Sequence, residues 1–224
     1  MHQGPVRFRV RAESRAGPAR GRALTPEDPD PVTGIILAGG RSSRFGRDKL
    51  REPYRGAPLL HHAVVRLSDV CLEVVVVVAP KDREPDLPDR RGLRLARDPV
   101  EGLGPLAGLA AGLADVETEL AVVAAGDMPD MSSSVLLEML AQARESGAEA
   151  TALEHVGTLR PLPVVLRAEP ARETARALLG RGERSLTALL TALRVTMLAE
   201  STWLALDPHG STLRDVDLPE DLTR

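Results

Sequence analysis

The densest concentration of reactive side chains lies between residues 37 and 49. The segment reads Leu37-Ala38-Gly39-Gly40-Arg41-Ser42-Ser43-Arg44-Phe45-Gly46-Arg47-Asp48-Lys49, directly after an aliphatic run. Glycines at 39 and 40 let backbone amides approach a ligand closely, and successive amides in such a turn form an anion-binding concavity. Arg41, Arg44, Arg47 and Lys49 against Asp48 give a local charge of +3 in a chain of net charge -3. That inversion suits a polyphosphate, with Lys as a point charge and Arg as a fork. The spacing matches neither the Gly-x-Gly-x-x-Gly dinucleotide fingerprint nor the P-loop ending in Gly-Lys-Ser/Thr. An ordinary solvated glycine loop is the plain alternative.

A carboxylate that could answer this positive loop follows a second aliphatic run. Asp127, in Gly126-Asp127-Met128-Pro129, comes after Leu120 to Ala125 and so belongs at the carboxyl end of a buried strand. Mg²⁺ is usually held by one or two carboxylates plus phosphate oxygens and water. The alternative is a Gly-Asp-x-Pro turn with no ligand. His61 and His62 are adjacent on a helical stretch and point in different directions, which argues against a metal pair. Ser42 and Ser43 lack a nucleophile elbow, which argues against a hydrolase triad. Cys71 reads as a small buried residue at a strand start.

The elements that must position these residues are legible from periodicity. Val32 to Ala38, Leu72 to Ala79 and Leu120 to Ala125 read as buried strands, with a short strand at Arg94 to Ala96. Pro58 to Leu67 places Leu59, Leu60, Ala63, Val64 and Leu67 on one helical face. Pro105 to Leu113 reads as a helix with Pro105 in its first turn. A serine at 132, 133 or 134 caps a helix burying Val135, Leu136, Met139, Leu140 and Ala143. Beyond these, Ala150 to Leu153 and Leu162 to Leu166 predict strands. Pro170 to Leu179 and Ser185 to Leu193 predict helices, the latter capped by Ser185. Val195 to Leu198 and Trp203 to Leu206 are expected as edge strands. Strands alternating with amphipathic helices predict an α/β fold of three layers: a mainly parallel sheet with helices on both faces. Such sheets bind ligands at the carboxyl ends of their strands.

Composition narrows the rest. The 224 residues are 43% hydrophobic and 27% charged, with a net charge of -3 that argues against a nucleic-acid-coating protein. One cysteine excludes an internal disulfide and a multi-thiolate metal site. No apolar stretch approaches the ~18 residues of a membrane span. Together these predict a cytoplasmic protein that acts on neither nucleic acid nor membrane. Residues 1–31 carry six arginines and five prolines without apolar periodicity and read as a disordered extension or an early start. Residues 32–224 read as a single domain.

Leu37-Ala38-Gly39-Gly40-x-Ser42-x-Arg44-Phe45-Gly46-x-Asp48-Lys49 resembles the signature of the nucleotidyltransferases, most closely the molybdenum cofactor guanylyltransferases, with Phe45 where that family usually has Met. Further blocks recur in the family's order. These are Asp98 before Gly104-Pro105-Leu106-Ala107-Gly108-Leu109, the Gly126 to Pro129 turn, Arg160-Pro161-Leu162, Gly182-Glu183-Arg184-Ser185, and Asp217-Leu218-Pro219-Glu220-Asp221-Leu222. The resemblance spans residues 32–224 and implies a variant of the Rossmann fold like that of the nucleotide-diphospho-sugar transferases. It implies transfer of GMP from GTP to the phosphate of molybdopterin cofactor, with Mg²⁺ and release of pyrophosphate. It places Arg44, Lys49 and Asp127 in catalysis, and Leu37, Ala38, Gly39, Gly40, Ser42, Asp98, Gly104, Pro105 and Leu106 around the substrates. Asp127 and Asp217 would hold the metal. Asp217 stands in Asp215-Val216-Asp217, where the family often has Asn-x-Asn; it reads either as a ligand or as a cap for a helix at Pro219. Asp98 reads equally as a turn residue before Pro99. Pro80 stands where the family often has a base-reading Asn, which keeps open a CTP-dependent sister reaction on a related phosphorylated acceptor. A catalytically silent nucleotide-binding protein is the reading from another class. Transient contact with a cofactor-delivering protein is a further expectation.

Overall fold

A computed structural model describes residues 30–39, 48–100 and 102–223. The expected extension over 1–31 therefore falls almost wholly outside the described residues, as does the stretch from Gly40 to Arg47 that includes Ser42 and Arg44.

Among the described residues a seven-stranded sheet forms the middle layer. Its strands are β1 (Val32–Leu37), β4 (Glu73–Val78), β5 (Leu93–Arg97), β6 (Leu120–Ala125), β7 (Ala150–His155), β8 (Thr158–Arg167) and β9 (Val195–Leu198). They stand in the order β5-β4-β1-β6-β8-β7-β9. Every neighbouring pair is parallel except those made by β8, which runs antiparallel to both β6 and β7. The central strands β1, β4 and β6 are aliphatic on both sides because helices cover both faces. On one face lie α1 (Leu59–Ser68), α3 (Ser133–Ser146) and α6 (Glu200–Leu206), through Leu60, Val64, Leu136, Met139 and Trp203. On the other lie α2 (Pro105–Ala114), α4 (Ala168–Gly180) and α5 (Leu186–Ala192), through Leu106, Leu109, Ala171 and Leu189. This is the expected three-layer, mainly parallel architecture. No helix of the described residues is long and apolar enough to cross a membrane.

The buried faces of α1 and α3 contain the five residues expected of each. Pro105 opens α2, and Ser185 caps α5 by accepting from the Ala188 amide at 3.0 Å. Ser132 occupies the cap position of α3, but its side chain caps nothing; instead its amide donates to Thr212 Oγ1 at 3.1 Å. One expectation fails: Trp203 to Leu206 is helical, not a strand. β9 already supplies the last edge of the sheet, so the apolar residues after it turn to cover a face. Trp203 is buried there with its indole donating to Glu154 O at 2.7 Å.

The periodicity also passed over a small hairpin, β2 (Pro53–Tyr54) and β3 (Ala57–Pro58). Its two-residue turn has φ 45° at Arg55 and 88° at Gly56. Positive φ at both central residues is the geometry of a type I′ turn, usually signalled by Asn-Gly or Asp-Gly. Arg at the first position gave no such signal.

Candidate active site

All four parallel strands of the first half end at one edge of the sheet, and the expected site residues gather there. β1 leads into Ala38 and Gly39, with the Ala38 amide donating to Val77 O at 2.8 Å. A Cβ at Gly39 would lie 2.9 Å from the Ala79 amide nitrogen, so glycine is what lets this chain end pass the end of β4. β6 leads into Gly126, whose amide donates to Leu37 O at 3.0 Å, and then into Asp127.

Lys49 follows on a 3-10 turn (Lys49–Arg51) capped by Asp48, which accepts from the Leu50 amide at 3.2 Å. The Lys49 ammonium lies 2.6 Å from Asp127 Oδ2, 3.2 Å from Asp217 Oδ1 and 2.9 Å from Val216 O. Three segments far apart in sequence therefore converge on one cation. The C-terminal segment is held in register by the Val216 amide, which donates to Asp127 O at 2.9 Å, and by burial of the Val216 side chain against Tyr54 and Leu59.

The charges of the cluster shape its ionisation. Desolvation works against the Lys49 ammonium, but the hydrogen bonds and charges of Asp127 and Asp217 outweigh it and raise its pKa. Asp215 joins from the same segment: desolvation, then the charges of Asp217 and Asp127, push its carboxyl up against the pull of Lys49. Among the described residues three carboxylates thus face one ammonium, a balance of charge that a further cation would relieve. The residues present fit a hard divalent ion. Asp127 Oδ1 is buried with no hydrogen-bond partner among the described residues, while its other oxygen and one of Asp217 already share a cation. Asp127 and Asp217 are the residues that would hold such an ion. No group of three His, Cys, Asp or Glu among the described residues forms a cage that could hold a metal ion by itself.

The helix-cap alternative for Asp217 is not what its carboxylate does. It faces Lys49, while Asp221, inside the last turn (Pro219–Thr223), accepts at Oδ2 from the Leu218 amide at 2.9 Å. Asp98 ends β5 on the same edge, with Oδ1 accepting from the Val100 amide at 3.0 Å, the bond of a turn residue. Gly104 caps α2 at φ 81°, and a Cβ there would lie 2.9 Å from Arg184 O. The Leu106 amide donates to that same carbonyl at 3.1 Å. The Gly182 to Ser185 block is therefore the backing of the Gly104-Pro105-Leu106 block, a pairing that their sequence separation concealed. Arg160 lies near the start of β8, paired with Leu153, and its Nε is buried without a partner among the described residues. His61 and His62 are committed separately, to Asp86 O at 2.9 Å and to Tyr54 O at 2.6 Å. Cys71 is buried, and burial pushes its thiol pKa well up.

Reasoning from sequence passed over Asp215 and the Val216 carbonyl. The alternation Asp-Val-Asp signals an extended segment with both carboxylates on one side, but nothing local tells which side meets Lys49.

Fold and site together define a three-layer α/β protein with a cluster of charged side chains at the carboxyl edge of its sheet, where such sheets bind ligands. Residues 34–196 match the family model described as the MobA-like NTP transferase domain. The chain is 38% identical over 196 residues to a probable molybdenum cofactor guanylyltransferase of Chloroflexus aggregans, covering 85% of this chain and 91% of that protein. It is 36% identical over 178 residues to a protein of the same name from Mycobacterium tuberculosis, covering 76% and 86%. In fold it is similar to molybdopterin-guanine dinucleotide biosynthesis protein A of Archaeoglobus fulgidus, with a TM-score of 0.68 at 22% identity over 86% of this chain and 95% of that one. It is also similar to 2-C-methyl-D-erythritol 4-phosphate cytidylyltransferase of Thermus thermophilus, with a TM-score of 0.62 at 19% identity, covering 85% and 95%. The chain belongs to the MobA-like NTP transferase family.

Proposed function

We propose that the protein transfers GMP from GTP to the phosphate of molybdopterin cofactor in a Mg²⁺-dependent reaction, forming the dinucleotide and releasing pyrophosphate. The observation that carries this reading is the convergence of Lys49, Asp127 and Asp217 on one point at the carboxyl edge. The names of the 36–38% identical relatives supply the donor and acceptor.

The reaction asks for positioning and charge neutralisation more than covalent chemistry. An oxygen of the acceptor phosphate attacks the α-phosphorus of GTP as the bond to the β,γ-pyrophosphate breaks. Gly39, having no side chain, would let backbone amides approach the triphosphate. Lys49 offsets the charge that grows on the phosphoryl oxygens and the leaving pyrophosphate. Asp127 and Asp217 would hold Mg²⁺, which would supply Lewis-acid neutralisation of charge at the α-phosphoryl group. Arg160, with an unpartnered buried Nε, offers a donor to an anionic acceptor.

A CTP-dependent reaction is the second reading, favoured by one residue. Pro80, just beyond β4, has neither a donor nor an acceptor side chain with which to read guanine. The deciding experiment supplies Mg²⁺, molybdopterin cofactor and each α-labelled nucleoside triphosphate in turn, and measures pyrophosphate. Turnover with GTP is expected. A preference for CTP would overturn the guanylyl assignment, and no turnover with any of the four would leave a binding protein.

A further inference from the structure

Three residues beyond Asp127, the Asp130 carboxylate is nearly buried and has donors from two sides. From the β2–β3 hairpin, Tyr54 donates its hydroxyl at 2.7 Å and Arg55 its guanidinium at 2.7 Å. From the C-terminal segment, Arg214 pairs with the same carboxylate and donates to the Tyr54 hydroxyl at 2.8 Å. The Arg55 guanidinium also lies 4.8 Å from the centroid of the Tyr54 ring, within cation–π range. Arg55 holds a positive φ that a side chain resists, and such strain persists only where the surroundings over-determine it.

The two sides tied together here carry two of the segments that meet at the candidate site. Tyr54 comes five residues after Lys49. Arg214 comes three before Asp217, and the residue between Asp215 and Asp217 is the one whose carbonyl accepts from Lys49. Removing the Asp130 charge would leave Arg55 and Arg214 facing each other without an anion between them, which loosens the link between the two segments.

Resting on the reading above, we propose that Asp130 is a positioning residue. It acts through Arg214 on Asp217 and through the hairpin on Lys49, so that both meet Asp127.

The first test needs no turnover. The chain has two lysines, Lys49 and Lys81, so side-chain ¹H–¹⁵N spectra of lysine-labelled protein carry two ammonium signals, assigned with Lys81→Arg. The Lys49 signal, held by three oxygen acceptors in the wild type, is expected to shift or broaden away in Asp130→Asn while the melting curve keeps its cooperativity. If Asp130→Asn fails to fold, Arg214→Lys, which keeps the charge but loses the fork, is expected to move the same signal. A Lys49 signal unmoved in the folded variant overturns the proposal. The second test is kinetic. Asp130→Asn is expected to lower kcat about tenfold with KM for GTP within about threefold, in the range seen for outer-shell residues. In an Asp217→Asn background the same change is expected to cost less than in the wild type, because only the Lys49 arm remains to be lost, and fully additive losses would overturn the proposal. A wild type that turns over no nucleotide refutes the transferase reading, while the spectra still decide the positioning role.

Discussion

Replacing Asp127 with Asn should separate stability from function. The Lys49–Asp127 pair is 2.6 Å long with side chains 16% and 18% exposed, between the surface and buried regimes. Fully exposed pairs contribute up to ~1 kcal/mol, and breaking a buried pair by removing one partner costs ~3–5 kcal/mol. An intermediate pair would therefore lose ~2 kcal/mol if nothing compensated. Two things compensate: Lys49 keeps Asp217 at 3.2 Å and Val216 O at 2.9 Å, and Asp215 and Asp217 lose a like-charged neighbour. The net cost to the unliganded fold should be ~1 kcal/mol, a fall in Tm of ~2–4 °C for a chain of this size. Catalysis has no such compensation, because the charge lost includes that of the buried Oδ1, which has no hydrogen-bond partner among the described residues. Loss of one electrostatic group from a transition-state site typically costs ~10²–10³ in kcat. Calorimetry and initial-rate pyrophosphate assays on the same preparation measure both quantities. A near-wild-type kcat would refute the metal-side role. A drop in Tm of more than ~10 °C, with activity lost only in proportion to unfolded protein, would refute the reasoning that the site is built for a ligand at the expense of the empty fold.

Other substitutions test the packing and the charge balance. Gly112→Ala should destabilise by ~1 kcal/mol in denaturant titration: its Cβ would sit 2.7 Å from Ile35 Cγ2 and 3.0 Å from Val77 Cγ2, both on stiff β-branched side chains, and overpacking of ~1–3 kcal/mol exceeds the ~1 kcal/mol gain in helix propensity. Gly108→Ala on the same helix meets its nearest atom at 3.7 Å and should instead stabilise by up to ~1 kcal/mol. Asp215→Asn should raise the melting temperature at neutral pH. The folded protein raises the Asp215 pKa above its unfolded value, so the native-state penalty exists only when the group is charged; the gain should shrink as pH falls through the carboxylate range and vanish below the unfolded value near 3.8. Equal melting differences at all pH values would contradict this. Cys71 should react with a thiol reagent only as fast as the protein unfolds, because burial both shields the thiol and suppresses its thiolate.

Most of the order of elements, the faces of α1 and α3 and the edge of the sheet at which Asp127 stands could be read along the chain. Each follows from local rules: aliphatic runs bury as central strands, a 3.6-residue stripe buries as a helix face, and a capping serine or first-turn proline marks a start. The place of Asp127 was readable for the same reason, since it follows a glycine directly after a buried strand. Where local signals were weak or ambiguous the reading failed. Trp203 to Leu206 is too short for its period to distinguish strand from helix, and only the occupied sheet edge decided it. The Tyr54–Ala57 turn has an arginine where Asn or Asp would have announced it, and the ring and carboxylate that hold that arginine come from Tyr54 and Asp130.

By itself, then, the sequence determined which segments are buried, which loop is positive and which carboxylates stand at strand ends, because these depend on composition and spacing within a dozen residues. Only the tertiary structure decided that Asp217 faces Lys49 instead of capping a helix, that Arg184 backs Gly104, and that Asp130 joins Tyr54, Arg55 and Arg214. Those contacts join residues far apart in the chain. Nothing in a segment's own pattern records which distant partner will share its hydrogen bonds once a common sheet brings their ends to one edge.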